Sequence, residues 1–144
     1  MKAISLWEPW ASAMALGLKT VETRSWPTAY RGQLIICSAK RIMGREEEHL
    51  FCTHVICTDW PMPIYGCALC AVELYDMLPT NGTREFWPAK EGQRLSSKEE
   101  ALGDYSPGRW MWITRNCRRF KTPFPVTGRQ GLFELSDDML LNYL

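Results

Sequence analysis

Residues 8–26, EPWASAMALGLKTVETRSW, join a short apolar helix to a charged segment, and the boundary between the two decides the fold. Pro9 suits the first position of a helix, and apolar residues recur at helical spacing from Trp10 onward. Gly17 is a natural C-terminal stop, because glycine tolerates the left-handed conformation that ends many helices. We therefore predict a helix that ends at Gly17 and a turn or short strand that closes at Pro27.

Short apolar segments with strand character lie on both sides of this helix. The predicted strands are residues 2–6, 32–39, 66–78, 109–120 and 131–137, and the further predicted helical segments are residues 45–56, one turn within 96–102, and 137–144. Several short strands with a few helices are typical of a small β-barrel that carries its helices outside. The connection over residues 79–108 is long for a small domain, and such connections are usually functional or mobile.

Length and charge restrict the class of protein. The chain has 144 residues, 46% of them hydrophobic and 23% charged, with a formal net charge of +1. This composition indicates one globular domain, residues 1–144, and the balanced charge argues against coating duplex nucleic acid through bulk charge. The segment from Tyr105 to Phe133 has no Asp or Glu but six cations: Arg109, Arg115, Arg118, Arg119, Lys121 and Arg129. This segment predicts either a local basic face or a face whose charge is neutralised by acidic residues from elsewhere, such as Glu99 and Asp104.

Targeting signals and cofactor motifs are not recognisable in the sequence. No apolar run is long enough to cross a bilayer, and the N-terminus lacks the apolar core of a signal peptide, so we expect a cytoplasmic protein with no membrane partner. The sequence does not determine the oligomeric state, and we favour a monomer. The sequon at Asn81 would then stay unmodified, and the cysteines would be free thiols.

We expect no metal and no cofactor, because Cys67 and Cys70 on a regular strand point to opposite faces, although His54 lies nearby in sequence.

Several separated motifs agree in order with one known family. A Gly-x-Lys-x-x-Glu-x-Arg run follows the first helix as Gly17, Lys19, Glu22 and Arg24, and Trp26 then begins a Trp-x4-Arg-Gly pattern. Further along, GCALCAVELYDM (66–77) and GRWMWITRNCRRFKTPFPVTGRQGLFEL (108–135) match the central strand and the C-terminal part. In these motifs the chain resembles the ASCH domain family, a branch of the PUA-like superfamily.

The resemblance implies a fold and two kinds of function. The fold is α+β, a PUA-like β-barrel of five to six mostly antiparallel strands with two to three helices packed outside. ASCH domains resemble modules that bind RNA or nucleosides. Some small bacterial relatives are amidohydrolases that remove the acetyl group from N4-acetylcytidine.

The charged segment is a candidate ligand pocket. Lys19, Glu22 and Arg24 converge if the backbone turns between the helix and the strand. Arg24 can then bind a phosphate and Glu22 can accept a hydrogen bond from an exocyclic amine. The remaining binding candidates are Ser5, Trp7, Trp10, Trp26, Arg31, Arg129 and Gln130, of which the tryptophans offer stacking surfaces. The alternative is that Glu22 pairs internally with the two cations and that the tryptophans belong to the core.

The enzyme hypothesis needs an acid–base group and an electrophile in the same pocket. Lys19 would polarise a carbonyl, and Glu22 or Glu73 would activate water as the general base. A Glu stands at position 22 where the amidohydrolases have a Thr, which counts against that specific activity. Binding of RNA or of a modified nucleoside is therefore our first hypothesis, and it predicts that Lys19→Ala and Arg24→Ala abolish binding without affecting the fold.

Overall fold

The computed structural model describes residues 1–80 and 96–139. Its strands are β1 (Lys2–Leu6), β2 (Val21–Arg24), β3 (Gly32–Ser38), β4 (Cys67–Pro79), β5 (Trp110–Pro125) and β6 (Phe133–Glu134). Its helices are α1 (Trp10–Ala15), α2 (Arg45–Leu50), which continues as a π-helical turn over Phe51–Val55, and α3 (Ser97–Ala101), with a short 3-10 turn at Asp137–Met139.

The strands form one mixed sheet in the order β2-β5-β4-β3-β1-β6. The pair β1 and β3 is parallel, and the other neighbours are antiparallel. The α+β class, the strand number and the mostly antiparallel arrangement predicted from the sequence are therefore confirmed. Within the described residues no hydrogen-bonded ladder joins the edge strands β2 and β6, so strand pairing does not close the sheet into a barrel.

Both faces of the sheet are covered, which explains the uninterrupted apolar run in β3. Leu34 and Ile36 pack in the cluster that includes α1, whereas Ile35 and Cys37 pack in a second cluster on the other face. Side chains alternate between the two faces of a strand, so a strand buried on both faces needs apolar residues at every position. The predicted buried strand of residues 32–39 is confirmed, one residue shorter.

The helix before the charged segment is shorter than predicted and begins later. Pro9 precedes the first helical residue at the N-cap and is not inside the helix. Gly17 ends the helix with φ of +72°, the left-handed conformation expected of it. The backbone N–H groups of Leu18 and Lys19 both donate to the carbonyl of Ala13, at 3.0 and 3.2 Å, so the chain turns immediately into β2.

One expectation on the rest of the chain changes, and it concerns the cysteines of β4. β4 has a register shift between Ala68 and Cys70, and Cys70 and Cys67 contact the same cluster. The opposite-face argument against zinc assumed a regular strand and therefore does not apply here. Even so, no three potential metal ligands come together in the part of the chain that the structure describes. The helical turn predicted within residues 96–102 of the long connection is confirmed as α3. The Asn81 sequon and most of the predicted C-terminal helix lie outside the described residues. Among the described residues, no helix has the length and apolar character needed to cross a membrane.

Candidate functional site

A cleft of two adjoining cavities lies beside β2 and the C-terminal end of β1. The first cavity, of about 510 Å³, is lined from β2, Trp10 and residues 101–104 with Arg109. The second, of about 620 Å³, is lined from residues 38–40 and the loop 126–131. Four residues line both cavities and form the boundary between them: Ser5, Trp7, Arg24 and Trp26.

Lys19 lies beneath this cleft and is not among the residues that line it. Its side chain is 0% exposed, and its Nζ donates to the carbonyl of Val21 at 2.5 Å and lies 3.7 Å from Oε1 of Glu22. The chain turn after α1 brings these groups together, as the sequence suggested. However, Lys19 supports the backbone and the carboxylate of the site, so we expect Lys19→Ala to lower the stability of the fold.

Glu22 and Arg24 occupy the same face of β2 and line the first cavity. Oε1 of Glu22 accepts from the backbone N–H of Thr23 at 3.1 Å, and Oε2 lies 3.8 Å from Nη1 of Arg24. Nε of Arg24 is buried and has no hydrogen-bond partner in the described residues. Burial lowers the pKa of the Arg24 guanidinium, while Glu22 opposes and Arg109 adds to that shift. Arginine nevertheless stays charged, so Arg24 is a half-buried cation whose buried Nε has unused donor capacity.

Arg109 is a site residue that the sequence analysis missed. It lines the first cavity, its Nη2 donates to the carbonyl of Thr23 at 2.9 Å, and its Nε lies 3.5 Å from Asp104. We counted it only in the basic segment, although the Gly-Arg-Trp motif of the ASCH resemblance includes it. The two alternatives for the basic segment, a basic face or a neutralised one, each hold for part of it. Arg109 and Arg115 have acidic neighbours, whereas Arg129 has none among the described residues.

The tryptophans of the cleft have two different roles. Trp26 packs edge-on against Trp112 with ring centroids 4.9 Å apart, and its carbonyl accepts from Trp112 Nε1 at 3.2 Å. Trp7 is 52% exposed, and the Arg41 guanidinium lies 4.0 Å from its ring centroid. Trp26 is therefore anchored in the core, whereas Trp7 presents a surface at the boundary of both cavities.

Two predicted site residues lie away from this cleft. Glu73 on β4 lines a separate cavity of about 330 Å³, where its carboxylate accepts from Arg115 and Asn116 at 3.0 Å. The Arg115 hydrogen bond lowers the pKa of Glu73, so this carboxylate is ionised. Arg31 donates to the carbonyls of Thr28 and Tyr30 and lines none of the three cavities. The structure thus brings Ser5, Arg129 and Gln130 to the cleft but not Glu73 or Arg31.

The start of β2 is held by a carboxylate from α3. Glu99 accepts from the backbone N–H of Thr20 at 3.0 and 3.1 Å, from the Thr20 hydroxyl at 3.2 Å, and from the N–H of Val21 at 2.9 Å. Ser96 caps α3 by accepting from the N–H of Glu99. Glu99 thereby fixes the backbone on which Glu22 and Arg24 stand.

We expect Glu99→Ala to lower the free energy of unfolding by about 2 kcal/mol, because it leaves the Val21 and Thr20 N–H groups without an acceptor. Thermal and urea unfolding measure this change. The control is Lys98→Ala in the same helix, whose amine makes, within the described residues, one exposed hydrogen bond to the His54 carbonyl at 3.5 Å. Equal stability of the two variants would show that Glu99 does not hold β2.

A PUA-like sheet with a polar cleft at the end of its first strand defines the class of this protein. Within that class, the chain belongs to the ASCH domain family, whose family model matches residues 4–124. Activating signal cointegrator 1 of Homo sapiens and of Mus musculus are each 28% identical over 92% of this chain, which spans only 22% of their length.

Solved structures agree on the fold. ASCH from Zymomonas mobilis has a TM-score of 0.57 at 16% identity, over 97% of this chain and 90% of that one. A serine-to-alanine mutant of ZmASCH from the same organism gives 0.59 at 15% identity, over 99% and 96% of the two chains. At this level of identity the likeness concerns the fold alone.

Proposed function

We propose that the protein binds RNA or a modified nucleoside by holding one base in the first cavity. The observation that carries this proposal is the placement of Glu22 and Arg24 on one face of β2, in a cavity that Trp7 and Trp10 also line. Binding of RNA or of a nucleoside is one of the two kinds of function that the ASCH resemblance implies. The cavity volume lies within the range of small-molecule sites.

The lining groups match the chemistry of a nucleobase. The Glu22 carboxylate can accept from an exocyclic amine, as carboxylates accept from the cytosine N4 group. Trp7 offers a ring on which a base can stack, with Arg41 covering at most one of its two faces. Arg24 and Arg109 supply donors for carbonyl oxygens or for a phosphate.

We expect Trp7→Ala to weaken binding of single-stranded RNA about tenfold, because base–aromatic stacking contributes about 1–3 kcal/mol. Fluorescence anisotropy with labelled oligonucleotides of mixed sequence measures the affinity. The control is Met62→Ala, which also removes an exposed apolar side chain, 69% exposed, but one that lines no cavity of the cleft. If Trp7→Ala and Met62→Ala bind like the parent, the base does not lie in this cavity.

The geometry favours binding over deacylation as the function of this cleft. Lys19 and Glu22 are neighbours, as an amidohydrolase scheme requires, but the Lys19 amine is directed to the Val21 carbonyl and Glu73 lies in another cavity. Incubation with N4-acetylcytidine and chromatography for released cytidine separates the two functions. Release of cytidine that Glu22→Gln abolishes would replace the binding proposal with the enzyme.

A further inference from the structure

The second cavity differs from the first in its charge. It is lined by Arg24, Lys40 and Arg129, and among the described residues no Asp or Glu lines it. The first cavity, in contrast, contains the carboxylates of Glu22 and Asp104 beside its two arginines. A cavity whose charged side chains are all cationic favours the binding of an anion.

Two of the three cations of the second cavity are not used by the fold, whereas the third, Arg24, lies 3.8 Å from the Glu22 carboxylate. In residues 1–80 and 96–139, Lys40 and Arg129 make no ion pair and no side-chain hydrogen bond, and both are exposed. Arg24, at the boundary between the cavities, has the buried Nε without a partner. These charges are therefore available to a ligand.

Residues 127–131 form a loop that lines the same cavity. Its N–H groups find no acceptor in the described part of the chain. A Cβ at Gly128 would lie 3.0 Å from Oγ of Ser5, so glycine allows the loop to approach β1 closely. Unpaired backbone N–H groups in a glycine-containing loop, next to cations, are typical of phosphate sites.

We propose that the second cavity binds the phosphate of a nucleotide whose base lies in the first cavity. The ligand is then a phosphorylated nucleotide, either free or within a strand, and not a free nucleoside. This inference rests on the proposed function, because it uses the base to place the phosphate. Ser5, Trp7, Arg24 and Trp26 join the two cavities, so that adjacent base and phosphate groups of one nucleotide can occupy both.

The test compares nucleosides with their 3′- and 5′-monophosphates by isothermal titration calorimetry. We expect a phosphate to increase the affinity of the parent protein about tenfold, because charge-assisted hydrogen bonds are the stronger ones. The double variant Lys40→Ala/Arg129→Ala should reduce this gain to about twofold or less while leaving nucleoside affinity unchanged, since Arg24 remains. The advantage should also shrink at high salt.

The control variant Arg45→Ala/Lys121→Ala removes the same charge from exposed positions outside the cleft. It should keep the phosphate gain, and both double variants should unfold at the parent's temperature, because they remove only exposed side chains. A dinucleoside monophosphate without terminal phosphates separates the two sources. Binding as tight as that of a mononucleotide indicates a strand, and binding like a nucleoside indicates a free nucleotide.

Two negative results have different meanings. If nucleosides and nucleotides bind equally well, or if the control variant loses the phosphate gain as the Lys40/Arg129 variant does, the phosphate site is wrong and the base cavity stands. If no nucleoside, nucleotide or oligonucleotide binds at all, the proposed function is wrong and the phosphate inference is overturned with it.

Discussion

Replacement of Lys19 by methionine is expected to lower the free energy of unfolding by about 3 kcal/mol. The Lys19 side chain is 0% exposed and the Glu22 side chain 15%. Methionine fills much of the same volume but leaves a largely buried carboxylate without its cation and the Val21 carbonyl without its donor. Because Arg24 lies 3.8 Å from Glu22 and offsets part of this loss, the effect belongs at the lower end of the range for broken buried pairs.

Denaturant unfolding of Lys19→Met measures this effect, with Lys2→Met as the matched control. Lys2 pairs with Glu134 at 2.7 Å, but both side chains are exposed, so solvent screens the pair and its loss should cost far less. In the double variant Lys19→Met/Glu22→Gln the carboxylate is also gone, and the cost should be less than the sum of the single changes. If Lys19→Met instead folds like the parent and loses only ligand affinity, Lys19 acts on the ligand and the structural role is wrong.

Replacement of Glu8 by alanine is expected to cost about 3 kcal/mol, because it leaves a group of buried donors without an acceptor. Glu8 is fully buried between α1 and the loop before β4. Its Oε1 accepts from the N–H of Ser12 at 2.8 Å, and its Oε2 accepts from the Ser12 hydroxyl and from the N–H of Ile64 at 3.0 Å. Trp60 Nε1 donates to the same hydroxyl at 2.9 Å, so the network also orders an indole.

The pH dependence of stability distinguishes this carboxyl from an exposed one. Burial raises the pKa of Glu8 above its ordinary 4.5, with the hydrogen bonds from Ser12 and Ile64 opposing the shift. The folded state then holds the proton more tightly than the unfolded chain, so Glu8 stabilises the fold most below pH 4.5. This contribution is lost as the pH rises from 4.5 through the higher folded-state pKa.

Urea unfolding over a pH series measures the contribution of Glu8 as the difference between the parent and Glu8→Ala. The cost of the substitution should be larger at about pH 4 than at about pH 7. Glu46→Ala, in the exposed first turn of α2, should cost little at either pH. A substitution cost at Glu8 that grows with pH would mean that the carboxylate form is the one that the fold prefers.

Local sequence patterns predicted most of the fold. Alternating and continuous apolar runs located β3, β4 and β5, since burial on one or both faces of a strand constrains the residues at each position. Gly17 predicted the end of α1 because few other residues adopt a positive φ there. The predicted start of α1, at Pro9, was one residue too early, and errors of one or two residues are usual at helix boundaries.

The site was predictable only in part. The spacing of Lys19, Glu22 and Arg24 after a helix stop indicated that these side chains lie close together, and they do. It did not indicate which of them is buried, because burial depends on the packing of segments that are distant in sequence, such as α3, whose Glu99 binds the Thr20 backbone from 79 residues away. Local spacing also did not place Arg109 in the site, because its partner Thr23 lies 86 positions away in sequence.

The sequence alone determined the family, the order of the strands along the chain and the position of the charged segment, because these follow from local spacing. The tertiary structure decided that Lys19 supports the site from below and that Glu73 and Arg31 lie elsewhere. It also placed Arg24 between two cavities of different charge. These facts depend on contacts between segments that are distant in sequence, and no local pattern of side chains specifies such contacts.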